Sequence, residues 1–261
     1  MHQVLDEPCV LHDPIAIPLL GEEFALDRGR ESHPLARAFR AFMAARSRFA
    51  EDEFAVAVEK GIGQFVVLGA GLDTFAYRNG NRGLRVFEVD FPATQEWKRN
   101  LLAKAGIVAP ANLTFVPLDF EHQTLADGLA KAGLQSGEPA YFSWLGVVPY
   151  LSLEAFRSTV STIGKLPRPT AVTFDFALSP ELLGARSRAA FEMLAERVAA
   201  AGEPFQLFFK PQDLESELAR AGFSTVQLTG ADDLNARYFA NRADGLSLPS
   251  PGLGMMATAR V

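Results

Sequence analysis

Leu68-Gly69-Ala70-Gly71-Leu72-Asp73-Thr74 is the stretch that decides the fold, because it joins a short apolar run to a helical pattern. The run that leads into it, Phe65-Val66-Val67-Leu68, is continuous, which is typical of a strand buried on both faces of a parallel sheet. Gly69 and Gly71 permit a tight turn and let a ligand lie against bare backbone. The stretch therefore predicts a strand, a glycine-rich turn and a helix in succession.

The chain then repeats this alternation of strand-like and helix-like segments. Strand-like runs occupy residues 84–89, 113–116, 140–145 and 171–176, and helical stretches occupy 93–105, 124–132 and 153–163. Strands separated by helix-length segments form βαβ units, which give a parallel sheet with right-handed crossovers.

Both ends of the chain depart from this rhythm. Apolar residues recur at helical spacing over 34–60, and two strand candidates, 225–228 and 255–261, are expected to form an antiparallel edge hairpin. The predicted fold is α/β: a doubly wound, mostly parallel seven-stranded sheet with an antiparallel edge strand. We expect an N-terminal helical extension over residues 1–60 and a single globular unit over 61–261.

Composition excludes several classes of protein. The chain has 261 residues, of which 48% are apolar and 21% charged, as in ordinary globular domains. The net charge is −6 without a basic block, which disfavours nucleic acid as a partner. Neither a bilayer-length apolar run nor a signal-peptide pattern occurs, and the single cysteine, Cys9, fits a reducing compartment. We therefore expect a cytoplasmic protein without membrane or metal sites.

Asp73 narrows the choice of cofactor for the glycine loop. Thr74 stands where the third glycine of a dinucleotide fingerprint would be, and Asp73 would repel a pyrophosphate held at the start of the helix. A cofactor with an ammonium-bearing amino-acid tail avoids this repulsion, and S-adenosylmethionine has such a tail and no phosphate. Gly69, Ala70, Gly71 and Asp73 are thus expected to contact it. Asp73 could alternatively only cap the helix that follows.

Asp90 ends the second strand-like run, 19 positions after Gly71. This matches the spacing of about 20 residues at which an acid meets ribose hydroxyls in nucleotide-binding folds. Glu88 lies two residues earlier and is expected on the same face of the strand. Both are predicted to bind the cofactor, although Asp90 could simply cap the helix after Pro92.

The third strand-like run ends in Leu118-Asp119-Phe120. Asp119 could accept a hydrogen bond from the adenine amine while Leu118 or Phe120 covers the ring face. The alternative is a solvated acid, with Phe120 in the core. With the two preceding sites in place, the interpretation as an adenine site is favoured.

Together these segments resemble the leucine carboxyl methyltransferase family and its bacterial O-methyltransferase relatives. The resemblance runs from about Phe39 to Phe176 and less sharply to Gly245. Its most specific part is the Gly-Leu-Asp-Thr loop joined to Glu-Val-Asp-Phe-Pro at 88–92. It implies a Rossmann-like class I methyltransferase fold, with S-adenosylmethionine as cofactor and S-adenosylhomocysteine as product.

The resemblance also implies a role for an arginine on the N-terminal helix. Residues 45–49, Ala-Arg-Ser-Arg-Phe, match the family, and Arg46 is expected to pair with the cofactor carboxylate, which a guanidinium can bind in a bidentate manner. The alternative is that Arg46 and Arg48 are exposed partners of the acids at 51–53.

One departure from the family lies after the fourth strand. The family often has a glutamate five residues before a tyrosine; here Tyr150 is retained and the earlier position is Leu145. The missing contact could be supplied by Ser143 or by backbone groups, and Tyr150 is expected to position the acceptor. The segment lacks the Asp/Asn-Pro-Pro-aromatic signature of many amino-group methyltransferases, which favours an oxygen acceptor.

The acceptor is left open between a carboxylate and a hydroxyl of a small molecule, such as a secondary metabolite, and a protein C-terminus. A carboxylate needs nearby cations, for which Arg237 and Arg242 are candidates and Lys210 is a weaker one. Arg237 and Arg242 could equally be surface ion-pair partners of the acids Asp232, Asp233 and Asp244. A phenol would gain from a base, for which His122 is a weak candidate. The aromatic residues Phe205, Phe208 and Phe209 could line an acceptor pocket, although a core position is expected for at least two.

Two other functions compete with methyl transfer. A nicotinamide-dependent oxidoreductase is disfavoured by Asp73 and Thr74. A non-catalytic module that binds S-adenosylmethionine for regulation is kept open by Leu145. The sequence indicates no oligomeric state.

Overall fold

The computed structural model describes residues 1–21, 28–119 and 123–261. Its centre is one mixed sheet in the order β3-β2-β1-β4-β5-β8-β7, with a short strand β6 that pairs with β5 outside this path. The strands are β1 Gln64–Leu68, β2 Arg85–Asp90, β3 Leu113–Pro117, β4 Tyr141–Trp144, β5 Ala171–Leu178, β6 Phe208–Phe209, β7 Thr225–Thr229 and β8 Gly254–Arg260.

Helices connect these strands and precede them. They are α1 His2–Leu5, α2 Ala16–Leu20, α3 Arg28–Glu31, α4 Pro34–Glu59, α5 Phe75–Arg78, α6 Pro92–Lys104, α7 Leu125–Lys131, α8 Leu153–Gly164, α9 Ala185–Ala200, α10 Pro211–Arg220 and α11 Ala231–Tyr238. Among the described residues, no helix combines the length and the apolar character needed to span a membrane.

The sheet confirms the predicted fold class. Strands β1 to β5 pair with one another in parallel, and β8 pairs with both β5 and β7 in antiparallel register. The predicted terminal hairpin is therefore present, but the reversed strand β8 lies one place inside the edge and β7 forms the edge itself. The two-residue strand β6 is an addition to the predicted seven. It pairs with Ala177 and Leu178, past the point where β4 ends.

Apolar side chains on both faces of the sheet explain why its central strands are continuous apolar runs. Every residue of β1 is buried. On one face, Phe54 of α4 packs against Phe65, Phe75 and Tyr141, with its ring centroid 4.4–5.4 Å from theirs. On the other face, Trp144 stacks on Phe156 of α8 at 5.7 Å. The sheet is therefore packed on both faces, and this packing holds the carboxyl ends of its strands in place.

The N-terminal extension packs on the sheet and is held by buried polar contacts. Asp6 accepts hydrogen bonds from Arg40 of α4 at 2.7 and 3.0 Å, and it contacts His2 Nδ1 at 2.8 Å. Further along, Asp13 Oδ2 accepts a hydrogen bond from the Thr74 hydroxyl at 2.6 Å. The extension thereby reaches the glycine loop. The division at residue 60 stays a prediction.

Candidate functional site

The glycine loop turns sharply at the end of β1. Gly69 and Gly71 have positive φ angles of 67° and 45°, which favour glycine. The amides of Gly69 and Ala70 both donate to the carbonyl oxygen of Val89, at 2.9 and 3.1 Å. These bonds fix the loop against the end of β2.

The two glycines serve different neighbours. A Cβ atom on Gly69 would lie 2.4 Å from Cγ2 of Val147, so bare backbone here admits the segment that follows β4. A Cβ atom on Gly71 would meet only the Gly69 carbonyl, at 4.0 Å. Gly71 is thus open on the side where a Cβ atom would lie, whereas Val147 fills that side of Gly69. Contact of either glycine with the cofactor stays a prediction.

Asp90 ends β2 and lies beside this open part of the loop. Its Oδ2 accepts a hydrogen bond from the amide of Gly71 at 2.5 Å, and its Oδ1 accepts one from the amide of Phe91 at 2.7 Å. Phe91, not Asp90, is the N-cap residue of α6. Each carboxylate oxygen has a further lone pair, so the half-exposed Asp90 can still accept bonds from ribose hydroxyls. Its role in ribose binding stays a prediction.

Asp73 makes the capping contact that was weighed as its alternative role. Its Oδ1 accepts a hydrogen bond from the amide of Phe75 at 2.8 Å, at the start of α5. The side chain remains half-exposed, so contact with a cofactor is compatible with capping and stays a prediction.

Glu88 departs from its predicted role. The residue is fully buried, and its Oε2 lies 2.7 Å from Nζ of Lys98, which is 1% exposed. Lys98 Nζ also donates to the carbonyl oxygen of Asp73 at 2.6 Å. Glu88 therefore pairs with Lys98, which in turn bonds to the glycine loop, and the buried Glu88 side chain does not face an open site. Its Oε1 has no hydrogen-bond partner within the described chain.

Burial gives Glu88 an unusual titration. Desolvation of the charged form raises the pKa of Glu88 to about 7, although the neighbouring Lys98 opposes the shift. A carboxyl group with a raised pKa binds its proton more tightly in the folded protein. Its contribution to stability is therefore full below its ordinary pKa of 4.5 and is lost as the pH rises through about 7.

We therefore expect the free energy of unfolding to fall between pH 5 and pH 8 more steeply in the native protein than in Glu88→Gln. Urea unfolding of both proteins at several pH values measures this difference, and the comparison cancels the titration of other groups. Parallel pH profiles would show that Glu88 has no raised pKa in the folded protein.

Of the residues predicted to bind adenine after β3, the structure describes Leu118 and Asp119. Leu118 is 1% exposed and packs in the core, where its Cδ1 lies 2.7 Å from the position of a Cβ atom on Gly128. The prediction that Leu118 covers the adenine ring is therefore wrong. Asp119 is half-buried and its amide donates to Gln123 Oε1 at 3.2 Å; its adenine contact stays a prediction. Phe120 and His122 lie outside the described residues.

Arg46 points inward from α4 to the carboxyl end of β5. Its Nη1 lies 3.3 Å from Oδ2 of Asp175, which is 5% exposed. Asp175 Oδ1 in turn accepts a hydrogen bond from the amide of Gly146 at 2.6 Å. The alternative of a surface ion pair with residues 51–53 is wrong for Arg46 and right for Arg48, whose Nε lies 2.8 Å from Asp52.

The sequence-based interpretation missed Asp175, although a signal was present. It is the one charged residue in the otherwise largely apolar strand Ala-Val-Thr-Phe-Asp-Phe-Ala-Leu. Trp144 of β4 is in register with Phe174 of β5, so the residue opposite Asp175 is the one after Trp144, which is Leu145. An acid therefore does lie beside Leu145, supplied by the neighbouring strand. Ser143, proposed as the substitute, is buried within β4 at 4% exposure, and its contact with the cofactor stays a prediction.

Tyr150 follows β4 and ends a short 3-10 turn over Val148–Tyr150. Its ring centroid is 5.2 Å from that of Phe205, whose own ring is 6.0 Å from Phe191 of α9. Burial raises the pKa of Tyr150, with a further contribution from Glu203, so the phenol stays protonated near neutral pH.

Of the three phenylalanines suggested to line an acceptor pocket, Phe209 is in the core, whereas Phe205 and Phe208 are half-buried. The expectation that at least two of the three are core residues is therefore wrong, because only Phe209 is.

The three cations suggested as acceptor anchors are engaged elsewhere. Arg237 binds Asp52 at 3.1 Å, and Lys210 binds Glu181 at 2.6 Å. Arg242 pairs with Asp244 and donates to the carbonyl oxygen of Pro8 at 2.6 Å. The structure favours the ion-pair interpretation for Arg237 and Arg242, although the partner of Arg237 is Asp52 and not one of the expected acids. This removes the reason for placing them at an acceptor.

The residues around this edge of the sheet suit S-adenosylmethionine. Arg46 has a buried Nε without a hydrogen-bond partner in the described chain, which a carboxylate could fill. Gly71 leaves open space beside the carboxylate of Asp90, which suits a ribose. Within the described residues, no group of three or more His, Cys, Asp or Glu side chains is arranged to hold a metal ion.

Comparison with known proteins gives consistent results. Residues 1–164 match the family model described as leucine carboxyl methyltransferase. A Bacillus subtilis protein named "Putative S-adenosyl-L-methionine-dependent methyltransferase YktD" is 35% identical over 206 residues, covering 78% of this chain and 67% of that protein. A Mycolicibacterium paratuberculosis protein named "Putative S-adenosyl-L-methionine-dependent methyltransferase" is 32% identical over 246 residues, covering 83% of this chain and 76% of that protein. The solved structure of a DUF574 family protein from Streptomyces avermitilis is similar in fold, with a TM-score of 0.60 at 18% identity and coverage of 93% and 94%.

Proposed function

Because this chain belongs to the leucine carboxyl methyltransferase family and is an S-adenosylmethionine-dependent methyltransferase, we propose that it methylates an oxygen atom of a small molecule, and specifically a hydroxyl oxygen. S-adenosylmethionine supplies the activated methyl group when bound. The family assignment leaves no support for a nicotinamide-dependent oxidoreductase.

The observation that carries the choice of hydroxyl is the engagement of the candidate cations. A carboxylate acceptor needs positive charge to hold it, yet Arg237, Arg242 and Lys210 are each bound by a carboxylate of this chain. Arg46 lies near the site, but it is the residue expected to bind the carboxylate of the cofactor, so it is not counted as an anchor for the acceptor. A neutral hydroxyl acceptor makes no such demand for a free cation.

The segment after β4 supports an oxygen acceptor over an amine. Val148-Pro149-Tyr150 offers no side-chain amide or carboxylate to accept hydrogen bonds from an amino group. Tyr150, held as a protonated phenol, can donate a hydrogen bond to an acceptor oxygen. Its role in this proposal is to orient the acceptor, because methyl transfer depends mainly on alignment of the reacting atoms.

Asp175 also bears on the non-catalytic alternative. That alternative depended on the loss of the acid at Leu145, and a carboxylate beside that position is supplied by β5. The reason for regarding the chain as a binding module is thereby weakened.

Base treatment of the product tests the proposal. The protein is incubated with methyl-labelled S-adenosylmethionine and a panel of phenols, aliphatic alcohols and carboxylic acids. A methyl ether keeps its label in mild alkali, whereas a methyl ester releases labelled methanol. We expect base-stable label on a hydroxyl compound, reduced at least about tenfold in Tyr150→Phe if one oriented hydrogen bond is lost. Base-labile label would identify a carboxylate acceptor, and no labelled product with any acceptor class would favour the binding module.

A further inference from the structure

We infer that Asp175 is a cofactor-binding residue, which holds the ammonium group of the methionine tail of S-adenosylmethionine while Arg46 holds its carboxylate. The inference concerns the cofactor and does not depend on the identity of the acceptor. Its test is a binding measurement, so it can fail while the proposed hydroxyl chemistry stands, and the reverse.

The position of Asp175 follows from the register of the sheet. β4 and β5 are parallel, with Tyr141 opposite Ala171 and Trp144 opposite Phe174. Asp175 is therefore the first residue of β5 beyond the last pair, at the carboxyl edge, where ligands bind in open α/β sheets. β5 is two strands away from β1, whose end leads into the glycine loop, and β4 lies between them.

A buried carboxylate at this position requires partners. Asp175 is 5% exposed in a strand whose other residues are neutral. An unpaired charge in such surroundings is costly, and buried acids are therefore paired or hydrogen-bonded. The amide of Gly146 provides one bond at 2.6 Å. Arg46 Nη1 is 3.3 Å away, longer than the 2.7–2.9 Å of a close charge-assisted bond.

The guanidinium of Arg46 is likewise incompletely bonded. Its Nε is buried and has no hydrogen-bond partner within the described chain. Arginine carries five N–H donors and usually binds carboxylates through two of them. Arg46 can therefore donate further hydrogen bonds, and the carboxylate of Asp175 can accept further ones.

An amino-acid zwitterion complements this arrangement. Its carboxylate and ammonium are attached to the same carbon atom, and Arg46 and Asp175 present the opposite charges side by side. Because the pair is electrically neutral by itself, it can receive a neutral zwitterion without leaving an uncompensated charge. A ligand with only a carboxylate or only an ammonium would satisfy half of it.

Gly146 makes room for the arrangement. Its φ is 70°, and a Cβ atom there would lie 2.8 Å from Nη1 and 2.9 Å from Nη2 of Arg46. The guanidinium therefore lies directly against bare backbone, while the amide of the same glycine holds Asp175. One glycine fixes both members of the pair, which is consistent with a built site and not a chance contact.

Calorimetry with Asp175→Asn tests the inference. Asparagine keeps a carbonyl oxygen for the Gly146 amide and removes the charge. The probes are S-adenosylhomocysteine, its deaminated analogue, which keeps the carboxylate, and 5′-methylthioadenosine, which lacks the whole tail. We expect Asp175→Asn to bind S-adenosylhomocysteine roughly 10–100-fold more weakly, the scale of one hydrogen bond between charged groups. Binding of the other two probes should change less than about twofold.

Asp52→Asn is the matched control, because it removes an acid from an ion pair with Arg48 and Arg237 outside the site. It should leave all three affinities unchanged. Equal weakening of all three probes in Asp175→Asn, or no weakening of any, would overturn the inference.

The native protein gives a second test that needs no variant: it must bind S-adenosylhomocysteine at least about tenfold more tightly than the deaminated analogue. Equal affinities would also overturn the inference.

Discussion

Replacing Lys98 with methionine is expected to lower the free energy of unfolding by about 3–5 kcal/mol at pH 8, the range for breaking a buried ion pair by removing one partner. Lys98 Nζ lies 2.7 Å from Glu88 Oε2, and neither side chain is more than 1% exposed. Methionine fills similar space but leaves Glu88 as an uncompensated buried acid. Urea unfolding monitored by circular dichroism measures the change.

The double variant Lys98→Met with Glu88→Leu is the control. Replacing both members of a buried pair with apolar residues is often neutral, so most of the lost stability should return. The loss in Lys98→Met alone should be smaller at pH 6, because burial raises the pKa of Glu88 to about 7 and the carboxyl is then mostly neutral. A single variant as stable as the native protein would contradict the assignment of Lys98 as the partner of Glu88.

Lys98 also connects stability with the site. Its second bond, 2.6 Å from Nζ to the carbonyl oxygen of Asp73, reaches the glycine loop from beneath. Loss of this bond frees the loop that carries Gly71 and Asp73. A folded double variant is therefore expected to bind S-adenosylhomocysteine more weakly than the native protein even where its stability is restored.

The fold was predictable because its signals are local. The buried strand β1 is a continuous apolar run, and Gly69 and Gly71 adopt the positive φ angles that a tight turn requires. In the structure, Asp90 lies beside the glycine loop and accepts a hydrogen bond of 2.5 Å from the amide of Gly71, although the spacing of 19 residues had been used only to predict ribose binding. The connection between two adjacent parallel strands has a characteristic length and geometry, so the spacing of two residues along the chain indicates whether they lie near each other.

The misassigned residues depend on distant partners. Glu88 lies two residues before Asp90 in β2, as the sequence indicates, but Lys98 of α6 pairs with it and buries it. The sequence around Glu88 does not indicate this pairing. Leu118 could face either a ligand or the core, and α7 decides by bringing Gly128 against it. Asp175 lies 129 residues from Arg46 along the chain. Pairings of this kind are created by the sheet order, which a single sequence specifies only indirectly.

Asp90→Ala is expected to weaken the binding of S-adenosylhomocysteine by roughly 1–3 kcal/mol, or about 5–150-fold, the scale for leaving buried polar partners unmatched. Two effects combine in this loss. The proposed ribose hydroxyls lose their acceptor, and the amide of Gly71 loses the oxygen that holds it at 2.5 Å. Calorimetry measures the affinity, and thermal unfolding establishes that the variant is folded.

Asp90→Asn and a ribose-modified ligand separate the two effects. Asparagine keeps one acceptor oxygen, which can still bind the Gly71 amide, so its loss should be smaller than that of alanine. A 2′-deoxy analogue of S-adenosylhomocysteine should lose less affinity on going from the native protein to Asp90→Ala than the parent ligand does, because it has one hydroxyl fewer to leave unmatched. Asp213→Ala, an exposed acid in the first turn of α10, is the control and should bind as the native protein does. A folded Asp90→Ala variant with native affinity would reject the ribose assignment, since the acid after β2 would then act on the glycine loop without contributing to cofactor binding.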